Sequence, residues 1–144
     1  MLLKYSILQS IMSLLIKNAS DARETKYCNT IRMVVEYRGH ATNAEILSDV
    51  RRVFPSISAT TIHRATARLA VRGELGHAPS DSKGAMRYDT NLTAHDHFMC
   101  VRCGKLLDID VANDVIPIIE RQLEPCEVVG NITVSGLCGC CLTA

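Results

Sequence analysis

Four of the seven cysteines fall into two Cys-x-x-Cys pairs, Cys100/Cys103 and Cys138/Cys141, with 34 residues between the pairs. Two residues between ligands let a tight turn aim both sulfurs at one ion. Two such turns complete a tetrahedron of thiolates around Zn(II) at about 2.3 Å per bond. Gly104 follows the first pair and Gly139 lies inside the second, and glycine suits turns this sharp. Four thiolates leave no open coordination position, so the spacing predicts a structural zinc that holds a fold and does no chemistry. Redox thiols of the thioredoxin kind would need a βαβ setting and would leave the second pair unexplained. Cys140 competes with Cys141, but the two-residue gap favours Cys141. Cys28 and Cys126 have no partner at ligand spacing and read as ordinary small residues.

A second constellation lies just before the first pair, in His95-Asp96-His97-Phe98-Met99-Cys100. Alternate residues of a strand face the same way, so the two imidazoles can share one ion. His40, Asp89 and Asp108 are further candidate ligands. Spacing alone does not choose them over Asp96, Asp110 or His77. A third cluster is basic: Arg64, Arg68 and Arg72 recur every four residues, behind Thr60, Thr61 and His63.

Elements must carry these groups. The 144 residues suffice for one ordinary domain or two small ones. At 47% hydrophobic and 22% charged the chain can bury a core, and at 4% aromatic with no Trp that core must be aliphatic. No apolar run is long enough for a membrane span. The apolar-rich start, residues 1–15, is broken by polar residues and followed by no small-residue cleavage site. It reads as an amphipathic helix over 2–17, and no signal peptide is expected. Cysteine-rich and without a leader, the chain is expected in a reducing, cytoplasmic compartment. Residues 1–90 carry 13 Lys/Arg against 8 Asp/Glu, and residues 91–144 carry 3 against 7, so a +5 part precedes a −4 part. That split fits a nucleic-acid binder followed by a sensor or partner domain.

Helical periodicity continues from Ser20 or Asp21, as cap, to Arg38, with Ile31, Val34 and Val35 inward and Gly39 as the stop. Thr42 or Asn43 caps a helix over about 44–53 with Ile46, Leu47 and Val50 inward. Ser58 opens another over about 59–72, closed by Gly73. Its inner stripe is Ile62, Leu69 and one or both of Ala65 and Thr66. Extended pieces follow at about 74–78 and 85–89, separated by the turn-forming Pro79 to Gly84. Helix, turn, helix and hairpin is the order of a winged helix-turn-helix. Residues 1–89 form that domain, 90–95 a linker, and 96–144 a second domain. In it we expect strands near 97–101, 105–109 and 128–134, with a helix over about 112–123. That helix turns Ile116, Ile119 and Leu123 to one face, and Pro117 fits only in its first turn or at a bend.

From about Arg23 to Cys141 the sequence resembles the ferric uptake regulator (Fur) family. The matching pieces are His-Ala-Thr-Asn-Ala-Glu-Ile-Leu at 40–47 and Phe-Pro-Ser-Ile-Ser-Ala-Thr-Thr-Ile-His-Arg at 54–64. Further on come Gly-Ala-Met-Arg-Tyr-Asp at 84–89, the segment from His95 to Asp108, and Gly-Leu-Cys-Gly-Cys-Cys at 136–141. The resemblance implies an α+β chain: an N-terminal winged helix-turn-helix, then a small C-terminal α/β dimerisation domain. It implies a homodimeric, metal-dependent repressor on palindromic double-stranded DNA, not an enzyme. In the peroxide-sensing (PerR-like) branch three His and two Asp hold the regulatory ion, and His40, Asp89, His95, His97 and Asp108 match those positions. Three imidazoles and two carboxylates favour Fe(II) or Mn(II) over Mg(II) or Ca(II). In that branch peroxide oxidises a ligand imidazole through Fe(II), and His40 and His95 match the oxidised positions.

Thr60, Thr61, His63 and Arg64 would reach base edges from the second helix of the motif, with Arg68, Arg51 and Arg52 nearer phosphates. Two positions depart from the family pattern. Cys28 stands where an Arg is usual, and His63 stands where a Tyr usually precedes Arg64. The resemblance also admits an iron-, manganese- or other metal-uptake regulator. From the residues alone, a zinc-ribbon metalloenzyme using His95, His97 and Asp108 to activate water is the reading of another class.

Overall fold

The structure, a computed structural model, describes residues 27–143. The expected helix over 2–17 and the Ser20 or Asp21 cap lie outside the described residues. Two compact units result. The first comprises residues 27–78 with 86–91, the second 79–85 with 92–143. The chain is α+β, a winged helix-turn-helix followed by a small α/β unit.

In the first unit helix α1 spans Cys28–Arg38 and ends where Gly39 adopts φ 76°. Strand β1 (His40–Thr42) leads directly into helix α2 (Asn43–Val50). The Thr42 side chain accepts from the Glu45 backbone N–H, and the Glu45 carboxylate accepts from the Thr42 N–H, a reciprocal cap worth about 1 kcal/mol. Helix α3 (Ala59–Val71) is capped by Ser58, whose oxygen accepts from the Thr61 N–H at 3.1 Å. It closes on Gly73, at φ 67°, with Gly73 N–H donating to Ala70 and Glu74 N–H to Leu69. This is the Schellman pattern that a left-handed glycine permits.

The hairpin strands are shorter than expected, β2 at Gly76–Ala78 and β3 at Arg87–Asp89. β3 lies centrally, antiparallel to both β1 and β2. The core beneath is aliphatic: Ile31, Val35, Ile46, Val50, Ile62 and Leu69 are fully buried, joined by Ala65, Leu75 and Tyr88. Both Ala65 and Thr66 face inward. Val34 and Leu47 are only partly buried against this core.

The second unit has strand β4 (Asp96–Cys100), antiparallel to β5 (Leu106–Ile109) and parallel to β6 (Thr133–Gly136). β6 lies later than the expected 128–134, because pairing with β4 and not the apolar run at Val128 and Val129 sets its bounds. Helix α4 spans Ala112–Glu120, not 112–123. Residues after it turn through i→i−3 bonds, Gln122 to Ile119 and Leu123 to Glu120. Leu123 is therefore off the helix and exposed, and Ile116 and Ile119 are half-buried. Pro117 sits in the second turn of α4 rather than the first. A short helix α5 (Gly139–Leu142) ends the described chain.

The buried cluster of this unit is small: Cys100, Cys138 and Cys141, with Phe98 and Leu137 packed against them. Gly136 is a tight point within it, since a Cβ there would meet Phe98 Cε2 at 2.9 Å. Gly136→Ala is expected to displace the ring and cost about 1–3 kcal/mol, as overpacking does. Thermal melting of the zinc-loaded protein checks this, and an unchanged midpoint would show that Phe98 yields freely.

Candidate metal centres and nucleic-acid interface

The two Cys-x-x-Cys turns meet in the second unit. The first closes on Gly104 (φ 73°), whose N–H donates to the Cys100 carbonyl. The second opens α5, with Cys138 at its N-cap and the Cys141 N–H donating back to the Cys138 carbonyl. All four sulfurs lie within 4.8 Å of one another, and Cys103 Sγ is 3.6 Å from Cys138 Sγ. Thiolates at tetrahedral corners around zinc stand about 3.8 Å apart, which follows from the bond length. The four sulfurs are gathered closely enough to hold that ion.

Their electrostatics are uneven. Backbone N–H groups of Cys103 and Cys138 point at Cys100 Sγ, the latter at 3.4 Å, and hold that thiol down at about 5. Burial pushes Cys141 up to about 12. One corner is thus already suited to a thiolate, while another needs a cation to lose its proton. The low value at Cys100 adds stability that is fully present above a thiol's ordinary pKa of about 8.5. That contribution is lost as pH falls through about 5. Zinc is expected to be released more readily in acid than at neutral pH, because protons compete with the ion for all four sulfurs. A chromogenic chelator reads the release, and release that does not change with pH would contradict this.

The His and Asp candidates sort by unit, and within each unit strand pairing joins a His to an Asp. In the first unit β1 and β3 set His40 directly opposite Asp89. His40 Nε2 lies 3.2 Å from Asp89 Oδ2, and both side chains are buried. The other Asp89 oxygen accepts from the Asn91 N–H at 2.7 Å. In the second unit β4 and β5 set His97 opposite Asp108. His95, two residues earlier, has its ring 4.5 Å from that of His97 and its Nε2 3.6 Å from Asp108 Oδ1. His95 Nδ1 contacts the Thr93 carbonyl at 2.7 Å, the kind of backbone contact that orients a ligand imidazole. The first unit therefore presents one imidazole and a carboxylate at short range, and the second presents two imidazoles and a carboxylate, donor mixtures suited to Fe(II), Mn(II) or Zn(II).

The rival residues that spacing left open resolve differently. Asp96 is buried and used by the backbone, accepting from the N–H groups of Ile132, Val111 and Ala112. Those bonds, Ile132 first, hold its carboxyl below the usual range. Asp110 lies exposed beyond the end of β5. His77 is exposed, with its ring against Tyr88.

On the helix-turn-helix, Thr60, His63, Arg64 and Arg68 of α3 are exposed and Thr61 half-exposed. Thr61 partly serves the cap, its hydroxyl 2.9 Å from Ser58. His63 Nδ1 lies 3.1 Å from the Asn43 amide, and the buried Thr66 hydroxyl donates to the same Asn43. The second helix of the motif is thereby hydrogen-bonded to the first. Arg51 braces the intervening turn, donating to the Ile57 carbonyl, and Arg52 lies 3.7 Å from Asp49. Cys28 is sealed in the core, so its thiol offers nothing to an external ligand. The Asn43 link was missed in the sequence; its only signal was Asn at the first position of a helix facing α3.

These features agree with comparison to known proteins. Residues 20–130 match the model of the ferric uptake regulator family. The chain is 32% identical over 81 residues to the peroxide-responsive repressors PerR of Staphylococcus epidermidis and Staphylococcus aureus. That stretch covers 54% of this chain and 51–52% of theirs, so the chain spans about half the length of these curated relatives. Its fold is shared with the Helicobacter pylori ferric uptake regulator Fur (TM-score 0.67, 19% identity, 97% of this chain and 94% of that one). It is shared also with a zinc-bound manganese uptake regulator (0.66, 18%, 91% and 98%) and the Campylobacter jejuni peroxide stress regulator (0.59, 16%, 91% and 95%). With the family model covering most of its length and the fold in agreement, this chain belongs to the ferric uptake regulator family.

Proposed function

We propose that the chain is a metal-dependent, DNA-binding transcriptional repressor that senses peroxide. The observation that carries this is the paired strand register, His40 opposite Asp89 and His97 opposite Asp108, one pair in each unit. In this reading His40 and Asp89 hold the same divalent cation as His95, His97 and Asp108. Sharing it fixes the angle between the DNA-reading unit and the second unit. Cys100, Cys103, Cys138 and Cys141 hold structural Zn(II), which secures the second unit whether or not the regulatory cation is present.

Thr60, Thr61, His63 and Arg64 read base edges in the major groove, and Arg68 pairs with a phosphate or extends the reading. Two copies of the chain act together on a palindrome, one half-site each. Leu107, Ile118 and Val134, exposed on the second unit, supply apolar surface for that homodimer. No helix among the described residues is long and apolar enough to cross a membrane. The protein is proposed to work in the cytoplasm, where its thiols stay reduced.

When bound, Fe(II) supplies the electrons that activate peroxide beside a ligand ring. In this reading His40 or His95 would take up one peroxide oxygen at a ring carbon, the other oxygen leaving as water. A modified ring holds the cation poorly, the two donor sets separate, and the operator is released. After peroxide treatment with Fe(II), mass spectrometry is expected to find one added oxygen on His40 or His95, and none with Mn(II). An unmodified chain that still binds DNA with Fe(II) would instead mark an iron- or manganese-uptake regulator.

A further inference from the structure

Asp96 lies between the two histidines of the second unit, yet its carboxylate does different work from theirs. Oδ2 accepts from the N–H groups of Val111 at 3.0 Å and Ala112 at 2.8 Å, and Oδ1 accepts from Ile132 at 2.8 Å. Ile132 answers on the same segment, its carbonyl accepting from the His97 N–H at 2.9 Å. Val111 is the N-cap of α4 and provides no side-chain cap of its own. Asp96 takes over that capping from another strand, and its charge faces the positive end of the helix. Only 3% of Asp96 is exposed. One buried carboxylate therefore ties the segment carrying His95 and His97 to the start of α4 and to the chain entering β6.

We propose that Asp96 is a positioning residue for the His95–His97 ligand pair. Successive side chains of a strand point to opposite faces. With Asp96 clasped on one face, the rings of His95 and His97 are held together on the other, at their 4.5 Å separation. The clasp also makes α4 and the approach to β6 respond to whatever the two rings hold. Supporting groups of this kind typically change metal affinity by about 10–100-fold when removed. This inference rests on the reading that His95 and His97 hold the regulatory cation.

The test uses the full zinc-loaded chain and Co(II) as the probe for the second ion. A carboxylate offers only acceptors, whereas an amide must turn its NH2 toward at least one of the three N–H donors. Asp96→Asn is therefore expected to weaken Co(II) binding by about tenfold or more, to alter the visible spectrum of bound Co(II), and to leave one zinc per chain. A merely structural role would lower the melting temperature without changing that spectrum. In the unmodified protein, the amide resonances of Val111, Ala112 and Ile132 are expected to move as a second equivalent of Zn(II) binds. That measurement decides the matter should Asp96→Asn not fold. A parent chain that takes up no second ion overturns the regulatory-site reading, and this inference with it. A parent that binds, alongside an Asp96→Asn chain of equal affinity and spectrum or amides that stay still, overturns the inference alone.

Discussion

Cys100→Ser is expected to melt the second unit and leave the first folded. The physical reason is the contrast between the two cores. The first unit buries a dozen side chains from three helices and a strand-based wing. The second unit has three cysteines at its centre with Phe98 and Leu137 beside them, and α4 buries no residue fully. So few apolar groups cannot offset the conformational entropy of about sixty residues. A structural zinc contributes on the order of 10–16 kcal/mol at neutral pH and supplies the difference. Cys100 is the ligand to change because it is fully buried and backbone N–H groups of Cys103 and Cys138 hold its thiol down. Hydrogen exchange on the variant should show rapid exchange throughout β4, β5 and β6, with protection kept in α1 and α3. Full protection of β4 in the variant would mean that the unit stands without its zinc.

Asp89→Ala and His97→Ala are expected to abolish the metal dependence of DNA binding and to leave zinc near one per chain. Each removes one member of a cross-strand His–Asp pair, and each lies in a different unit. If one cation joins the units, deleting a ligand from either side has the same consequence. Coupling of this kind is typically worth about 1–3 kcal/mol, or about 5- to 150-fold in affinity. The readout is a titration of duplex operator with and without Mn(II), beside metal analysis of the same sample. Loss of zinc from either variant would show that the structural and regulatory roles are exchanged.

How much of this was legible in the residues differs by feature. The helix starts at Thr42 and Ser58 and the stop at Gly73 were readable because local chemistry sets them, whereas α2 ends at Val50 and not at the expected residue 53. Thr42 with Glu45, Ser58, and Gly73 each carry a cap that acts within four residues of sequence. The four-cysteine cluster was readable for the same reason, since each turn is a local object. The end of α4 and the position of β6 were not, because strand pairing across more than thirty residues fixes the latter. The choice of Asp89 and Asp108 over Asp96 and Asp110 was also beyond spacing. Asp96 sits between two histidines and looks like a ligand in sequence. Only the folded chain brings the N–H groups of Val111, Ala112 and Ile132 to it. Conversely, His40 and Asp89 are 49 positions apart and meet only through the register of β1 on β3. Resemblance to the family pointed to these residues, and the geometry within each unit supplies the reason they converge.

Cys28 is buried among Ile31, Val35 and their neighbours, so that position serves packing. His63 keeps its ring exposed on α3 and tied to Asn43, so that position stays available to a base edge.

In the proposed function one divalent cation, shared by the His40–Asp89 and His95–His97–Asp108 donor sets, makes the chain competent to hold an operator. The most direct measurement removes the regulatory ion with a mild chelator, verifies one zinc per chain, and compares affinity for the operator duplex before and after. Affinity is expected to fall about 5- to 150-fold and to be restored by Mn(II) or anaerobic Fe(II). Equal affinity in both states, with zinc intact, would contradict it.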